Sequence, residues 1–157
     1  MPAPSTPPFR RIAFLLSQVG SAVSQRFAER VAPLGVQPSD LGILRLIAQS
    51  DGLSQQELAG QLGVVPSRVV ALIDSLQEKG LVRRVRSQSD RRVQRLELDA
   101  RGREVLAEMR TVGAAHEAAT IEVLTEQERT TLAELLGKLA EAHGVDRDVH
   151  PGYRTGR

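Results

Sequence analysis

Arginine and lysine residues are concentrated in one segment of the chain, between Pro66 and Arg95. This segment holds eight basic and three acidic residues, whereas the rest of the chain holds 13 basic and 16 acidic residues. The formal net charge of the 157 residues is only +2, so the positive charge is local. Local positive charge is suited to binding phosphate groups. A solvated basic hairpin would show the same charge, so the elements that carry these residues must decide between the two interpretations.

Other kinds of chemistry have little support in the sequence. The chain has no cysteine, which excludes disulfides, thiolate zinc sites and cysteine-based oxidation sensing. His116, His143 and His150 are scattered, and a lone histidine on a helix is more often a packing residue than a metal ligand or a pH sensor. Neither a nucleophile elbow nor a glycine-rich phosphate loop is present. We therefore expect a binding protein that is not an enzyme and that needs no metal or other cofactor.

Two short helices joined by a tight turn must position the basic residues. Ser54-Gln55-Gln56-Glu57 is a capping box and predicts a helix over 54–61. Gly63 follows at the place where a helix end favours a left-handed residue, and Pro66 can open the next helix with its φ already set.

The second helix is predicted to have one apolar and one open face. Its apolar residues recur at i, i+3, i+4 and i+7 and form the stripe Val69, Leu72, Ile73 and Leu76. The opposite face consists of Ser67, Val70, Ala71 and Asp74, with Arg68 at its edge. Small residues beside an arginine let a helix lie close to base edges in a major groove. Lys79 and Gly80 then end the helix.

A hairpin with a charged tip follows. Alternating residues predict strands over 81–86 and 93–98, joined by the polar turn 87–90. Two arginines at the tip suit a narrow minor groove, where the potential is most negative, and an aspartate beside them can hold one guanidinium. Two helices and such a hairpin predict a winged helix-turn-helix that binds duplex DNA. The predicted DNA contacts are Ser54, Pro66, Ser67, Arg68, Val70, Ala71, Arg84, Arg86, Ser87, Asp90, Arg91 and Arg92.

The remaining segments are predicted to be helical, so the expected fold class is α+β and mainly helical. An apolar stripe predicts a helix over 10–30, with Ile12, Leu15, Leu16, Val19, Val23 and Phe27 on one face. Ser39 is expected to cap the next helix, whose inward residues are Leu41, Leu44, Ile47 and Ala48.

Two more helices are expected after the hairpin. Asp99 opens a long helix with an apolar seam, which consists of Val105, Met109, Val112, His116, Ala119 and Val123. Thr125 to Glu128 form a second capping box, and the last helix carries Leu132, Leu135, Leu136 and Leu139 on one face. The first and last helices have more apolar surface than one small core can cover, so we expect dimerisation; the alternative is that these stripes pack only within one chain.

The sequence resembles MarR-type transcriptional regulators over roughly Arg10 to His143. The resemblance rests on Leu58-Ala59, Leu62-Gly63-Val64, the run from Leu76 to Val82, Asp90-Arg91-Arg92, and the run from Leu96 to Gly102. It implies that Pro66, Ser67, Arg68, Val70 and Ala71 are recognition-helix contacts and that Arg92 is the wing arginine of an Asp-x-Arg motif. Val65 departs from the polar N-cap of many members, and Asp99 replaces a threonine but caps equally well.

The resemblance also implies a homodimeric repressor of a short pseudo-palindromic operator. The N-terminal helix and the two C-terminal helices would pair across a two-fold axis. Members of the family commonly bind small aromatic or phenolic anions in a cleft between these helices and the winged domain, and ligand binding changes the spacing of the two recognition helices. Arg10, Arg11 and Arg45 are candidates to meet the charge of such an effector.

We expect a disordered leader at 1–8, one domain at 9–143 and a flexible tail at 144–157. Within the domain, the winged helix would span 36–98 and the dimerisation helices 10–31 and 100–143. The sequence has no apolar run of about 18 residues and no signal-peptide pattern at its start, so we expect a cytoplasmic protein without a membrane partner. Two other functions fit a basic winged helix: an architectural protein that coats DNA with low sequence specificity, and a protein-interaction module that no longer reads DNA.

Overall fold

The computed structural model describes residues 11–50, 52–86 and 94–145. These residues form α1 (Ile12–Val31), α2 (Pro38–Gln49), β1 (Leu53–Ser54), α3 (Gln55–Leu62), α4 (Pro66–Glu78), β2 (Val82–Arg86), β3 (Gln94–Leu98), α5 (Ala100–Ile121) and α6 (Glu126–Ala142). A single 3-10 turn follows α1 at Ala32–Leu34. The mainly helical α+β fold expected from the sequence is confirmed.

The small sheet joins the helix-turn-helix to the hairpin. Its strands lie in the order β1, β3, β2, and both pairs are antiparallel. Leu96 of β3 lies opposite Leu53 of β1 on one side and Arg84 of β2 on the other. The sequence pattern does not predict β1, because two residues are too few to show an alternation. The largest fully buried side chains are Ile43, Leu44, Leu58, Leu62, Ile73, Leu76, Leu81 and Leu96.

Two helices begin at the predicted capping boxes. The Ser54 hydroxyl accepts the backbone N–H of Glu57 at 3.2 Å, and the Glu57 carboxylate accepts the backbone N–H of Ser54 at 2.7 Å. Thr125 and Glu128 form the same reciprocal pair at the start of α6. In each box the hydrogen bond from the backbone N–H holds the pKa of the glutamate below its ordinary value.

The start of α2 differs from the prediction. Ser39 is not the cap; Gln37 is the N-cap, and the carboxylate of Asp40 accepts its backbone N–H at 3.0 Å. Pro38 has its φ fixed at a helical value, which allows the helix to begin one residue before Ser39. On the same helix Ala48 is exposed rather than inward, and Ile43 is fully buried.

The apolar seam of α5 is buried only in its first half. Val105 is buried, and Met109 and Val112 pack against the core as half-buried side chains. The ring of His116 lies 5.1 Å from the ring of Phe27 on α1. At the C-terminal end of the predicted seam, Ala119 is exposed in the single chain. The placement of Val123 on α5 is wrong, because the helix ends at Ile121.

The long helix α5 begins in close contact with Leu81, the residue directly before β2. The backbone carbonyl of Leu81 accepts the N–H of Asp99 at 2.9 Å. A Cβ atom at Gly102 would overlap that same carbonyl oxygen, so the close approach depends on glycine.

The outer helices α1 and α6 leave their apolar faces uncovered within one chain. On the N-terminal half of α1 the exposed fraction of the large apolar side chains runs from 40% at Leu16 to 68% at Ile12, whereas Phe27 packs against the core. On α6 the four leucines of the predicted face are 39% to 52% exposed. The alternative that these stripes pack only within the monomer is therefore wrong.

Candidate nucleic-acid interface

Helix α4 has the buried and open faces that the sequence predicts. Val69, Ile73 and Leu76 are buried and Leu72 is half-buried. The backbone of the N-cap residue Val65 is extended, and its carbonyl accepts the N–H of Arg68 at 3.0 Å. The first two turns therefore expose short side chains and one guanidinium. The predicted contact residues Pro66, Ser67, Arg68, Val70 and Ala71 are all exposed.

An open groove of about 790 Å³ lies where the first turns of α3 and α4 meet β3. It brings together the predicted contacts Ser54, Pro66 and Val70 with Gln94 and Arg95, which the sequence reasoning missed. The Ser54 hydroxyl accepts a hydrogen bond within its capping box, yet its own hydrogen can still be donated to a phosphate. Arg95 joins the hairpin to the first turn of α3 and to the residue before β1, because its Nη1 donates to Glu57 Oε2 at 3.2 Å and to the carbonyl of Gly52 at 2.6 Å.

Arg84 forms several hydrogen bonds within the winged domain. Its Nη2 donates to Asp74 Oδ1 at 2.6 Å and to Gln55 Oε1 at 2.9 Å, and its Nη1 donates to Gln77 Oε1 at 2.6 Å. A further hydrogen bond of 3.3 Å runs from Nε to Gln55 Oε1. In the free chain these donors therefore contact α3 and α4, and the DNA contact expected of Arg84 stays a prediction.

The neighbouring arginines of β2 have different surroundings. Arg83 is paired with Glu97 of β3 at 2.8 Å, and the hydrogen bond from that pair raises the pKa of the guanidinium above its ordinary value. Arg86 ends the strand and is exposed. The predicted contacts at the hairpin tip lie outside the described residues: Ser87, Asp90, Arg91 and Arg92.

A second cavity of about 670 Å³ lies between α2, the end of β3 and α5. Apolar groups form much of its wall: Ala48, Leu98, Leu106, Ala107 and Met109. Arg45, Arg103 and Arg110 add three cationic side chains. The volume falls in the range of pockets that enclose small organic ligands, and cations on an apolar wall suit an organic anion.

The predicted ligand-binding arginines are only partly brought to this cavity. Arg45 lines it, while Arg11 is the exposed N-cap of α1 and is absent from the described lining. Arg10 lies outside the described residues. Arg103 and Arg110 were missed, although their spacing of seven residues places them on one side of a helix and could have indicated a pair.

The described residues contain neither a metal-binding cluster nor a membrane-spanning helix. No group of three or more histidine, aspartate or glutamate side chains is arranged to hold a metal ion there. None of the described helices is long and apolar enough to cross a membrane.

The helix-turn-helix, the antiparallel hairpin and the open face of α4 define a winged helix-turn-helix protein. The family model described as MarR family matches residues 34–93. The HTH-type transcriptional repressor Rv2887 of Mycobacterium tuberculosis is 30% identical over 128 residues, which cover 82% of this chain and 92% of that protein. The chain belongs to the MarR family of transcriptional regulators.

Two solved structures extend this similarity to the fold. The transcriptional repressor CouR bound to a 23-mer DNA duplex superposes with a TM-score of 0.70 at 32% identity, covering 83% of this chain and 93% of CouR. Rv2887 in complex with p-aminosalicylic acid superposes with a TM-score of 0.62 at 29% identity, covering 82% of this chain and 98% of that one.

Proposed function

We propose that the protein is a homodimeric transcriptional repressor that binds a pseudo-palindromic DNA operator and releases it when a small organic anion binds. The open face of α4 carries this proposal, because it combines short side chains with the exposed guanidinium of Arg68. The similarity supports repression rather than activation, since Rv2887 and CouR are both named as repressors.

Helix α4 would enter the major groove by its first two turns. Ser67, Val70 and Ala71 are short enough to let the helix axis approach the bases, and Arg68 can donate two hydrogen bonds to the O6 and N7 atoms of guanine. Arg86 is exposed at the end of β2 and would contact a phosphate. The tip residues are proposed to reach the adjacent minor groove: Ser87, Asp90, Arg91 and Arg92.

A homodimer would cover the exposed apolar faces of α1 and α6. Each face has several large side chains that are about half exposed in the single chain. A two-fold axis through these helices would present two copies of α4 to half-sites about one helical turn apart, as helix-turn-helix dimers do.

The cavity between α2 and α5 is the proposed effector site. Its apolar wall suits an aromatic ring, and Arg45, Arg103 and Arg110 suit a carboxylate or phenolate. The Rv2887 structure supports this choice of ligand, because it is a complex with p-aminosalicylic acid, which is an aromatic carboxylate. Arg103 also contacts the hairpin, since its Nη1 donates to the carbonyl of Leu98 at 2.6 Å. A ligand that draws Arg103 away would therefore disturb the junction of β3 with α5.

The DNA proposal is tested by selecting a duplex from a randomised pool with the wild-type chain. Binding is then compared on the selected duplex, on its single-base variants and on a mixed-sequence duplex. Arg68→Ala should weaken binding by about 1–3 kcal/mol and relax the preference at one base pair. If the wild type selects no preferred sequence but still binds DNA, the architectural alternative is favoured; if it binds no DNA, the interaction-module alternative is favoured.

The effector proposal is tested with p-aminosalicylate as the probe. The thermal shift of the wild type is compared with those of Arg103→Ala and Arg110→Ala, with Arg26→Ala on the exposed side of α1 as the control. The probe is then titrated into the DNA complex, where each tenfold preference for the free form weakens DNA binding by about 1.4 kcal/mol. Stabilisation without DNA release would remove the effector role from this cavity.

A further inference from the structure

Arg84 is built into the winged domain rather than presented to solvent. It lies on β2 directly opposite the buried Leu96, and it shares a strand face with the buried Val82. Only 19% of its side chain is exposed. Its aliphatic stem is therefore part of the sheet face, and its guanidinium emerges between α3 and α4.

The guanidinium joins three separate elements through one rigid group. Gln55 is the first residue of α3, Asp74 and Gln77 lie one turn apart on α4, and Arg84 itself is on β2. At least four of its five N–H groups are used in these contacts. The planar fork of arginine fixes the directions of all these hydrogen bonds together, which an ammonium group on a flexible stem cannot do.

The position of its acidic partner, Asp74, explains why the contacts of Arg84 matter for the open face of α4. Asp74 lies on the same side of the helix as Ser67 and Val70, and 52% of its side chain is exposed. An uncompensated carboxylate there would repel DNA phosphates. The ion pair of 2.6 Å with Arg84 compensates this charge and at the same time holds α4 at one angle to the hairpin.

We propose that Arg84 is a positioning residue: it sets the orientation of α4 relative to the hairpin, and sequence discrimination by α4 depends on it. This inference rests on the proposed function as a DNA-binding repressor. It separates two roles among the arginines of one strand, because Arg84 acts through α4 whereas Arg86 would act directly on phosphate.

The experiment compares Arg84→Lys and Arg84→Gln with two controls from the same strand. Arg83→Gln is the matched control, since Arg83 is the adjacent arginine and pairs with Glu97 instead of α4. Arg86→Gln represents a phosphate contact. Affinity is measured on the duplex that the wild type selects and on a mixed-sequence duplex, at several salt concentrations and at a temperature where every variant is folded.

Both Arg84 variants should lose about tenfold or more of the preference for the selected duplex, and Arg84→Lys, which keeps the positive charge, should leave the salt dependence unchanged. Arg86→Gln should instead weaken both duplexes equally and reduce the slope of log affinity against log salt by about 0.9. Arg83→Gln should leave the preference intact. Asp74→Asn should also lower the preference, with little further loss when it is combined with Arg84→Gln, because both changes break the same contact.

Rescue by lysine is the sharpest discriminator. If Arg84→Lys keeps the preference, or if it reduces the salt slope as Arg86→Gln does, then Arg84 acts by charge on DNA and the inference is wrong. If Arg84→Gln does not fold, Arg84→Lys and Asp74→Asn are compared with the same two controls on the same two duplexes. A wild-type chain that prefers no duplex would reject the proposed function itself, and the inference with it.

Discussion

The ammonium group of Lys79 lies 2.6 Å from the buried carboxylate of Asp40, which joins the C-terminal end of α4 to the first turn of α2. The same carboxylate accepts the backbone N–H of Gln37, so one buried group both caps α2 and anchors α4. Because α2 also forms a wall of the proposed effector cavity, this pair connects that wall to the proposed recognition helix.

Removing Asp40 should destabilise the fold more than removing Lys79. Asp40→Ala removes both the cap and the ion pair and should lower the free energy of unfolding by about 2–4 kcal/mol. Lys79→Ala leaves the carboxylate hydrogen-bonded to Gln37 and should lower it by only about 1 kcal/mol, since the ammonium is a third exposed. Urea unfolding of both variants checks this order. Equal losses would mean that the cap contributes nothing beyond the pair.

The contact between α5 and β2 predicts opposite effects for two glycines of one helix. Gly102→Ala should lower the free energy of unfolding by about 3 kcal/mol, because the new methyl group overlaps the backbone carbonyl of Leu81. Gly113→Ala meets no atom within 4 Å and should raise it by about 0.5–1 kcal/mol through helix propensity. Thermal unfolding of the pair is the measurement. A neutral Gly102→Ala would show that α5 can shift away from β2.

The capping box of α3 predicts a specific acid sensitivity. Hydrogen bonds from Ser54 lower the pKa of Glu57 below its ordinary value of 4.5, so the stabilisation is complete above that value and is lost as the pH falls through the folded-state pKa. Glu57→Gln can keep the cap without titrating. Its free energy of unfolding should therefore change little at neutral pH and fall less steeply than that of the wild type in acid.

The measurement is urea unfolding at a series of pH values between about 6 and 3. Glu108→Gln, on an exposed position of α5, removes the same charge and serves as the control. Identical acid limbs for the wild type and Glu57→Gln would contradict the assigned cause of the pKa shift.

Local signals explain why much of the fold follows from the sequence. The capping boxes at Ser54 and Thr125 need only residues three apart, and the buried stripe of α4 needs only helical spacing. The role of Arg84 depends instead on Gln55, which is 29 positions away in sequence. No local pattern shows which arginine of a strand turns toward the helices, so the sequence alone assigns Arg84 to DNA together with Arg86.

The two corrections on α2 and α5 have a similar origin. Ser39 is a good capping residue, but Pro38 before it supplies the first helical φ and the carboxylate of Asp40 supplies the cap. Val123 continues the spacing of the α5 seam, although the helix has already ended at Ile121 before the next cap. In each case a competing local signal sets the boundary of the helix: Pro38 and Asp40 set the start of α2, and the end of α5 precedes Val123.

The exposed apolar faces predict that dimerisation is sensitive to single charges. Leu135→Glu on α6 or Val19→Glu on α1 should convert a dimer into a monomer and lower the apparent stability, because the charge would be buried at the interface. Gln61→Glu is the control, since that exposed residue of α3 lies in the winged domain and on neither α1 nor α6. Size-exclusion chromatography with light scattering measures the mass. A stable monomer in the wild type would remove the two-fold operator from the proposal.

The salt dependence of DNA affinity tests the central claim most directly, because it counts the phosphates that the basic segment neutralises. The wild-type chain is titrated against its selected duplex between about 50 and 200 mM salt. If roughly six to ten phosphates are contacted, affinity should fall by about a thousandfold or more over that range. An affinity that is nearly independent of salt would contradict the proposal that this winged helix binds DNA.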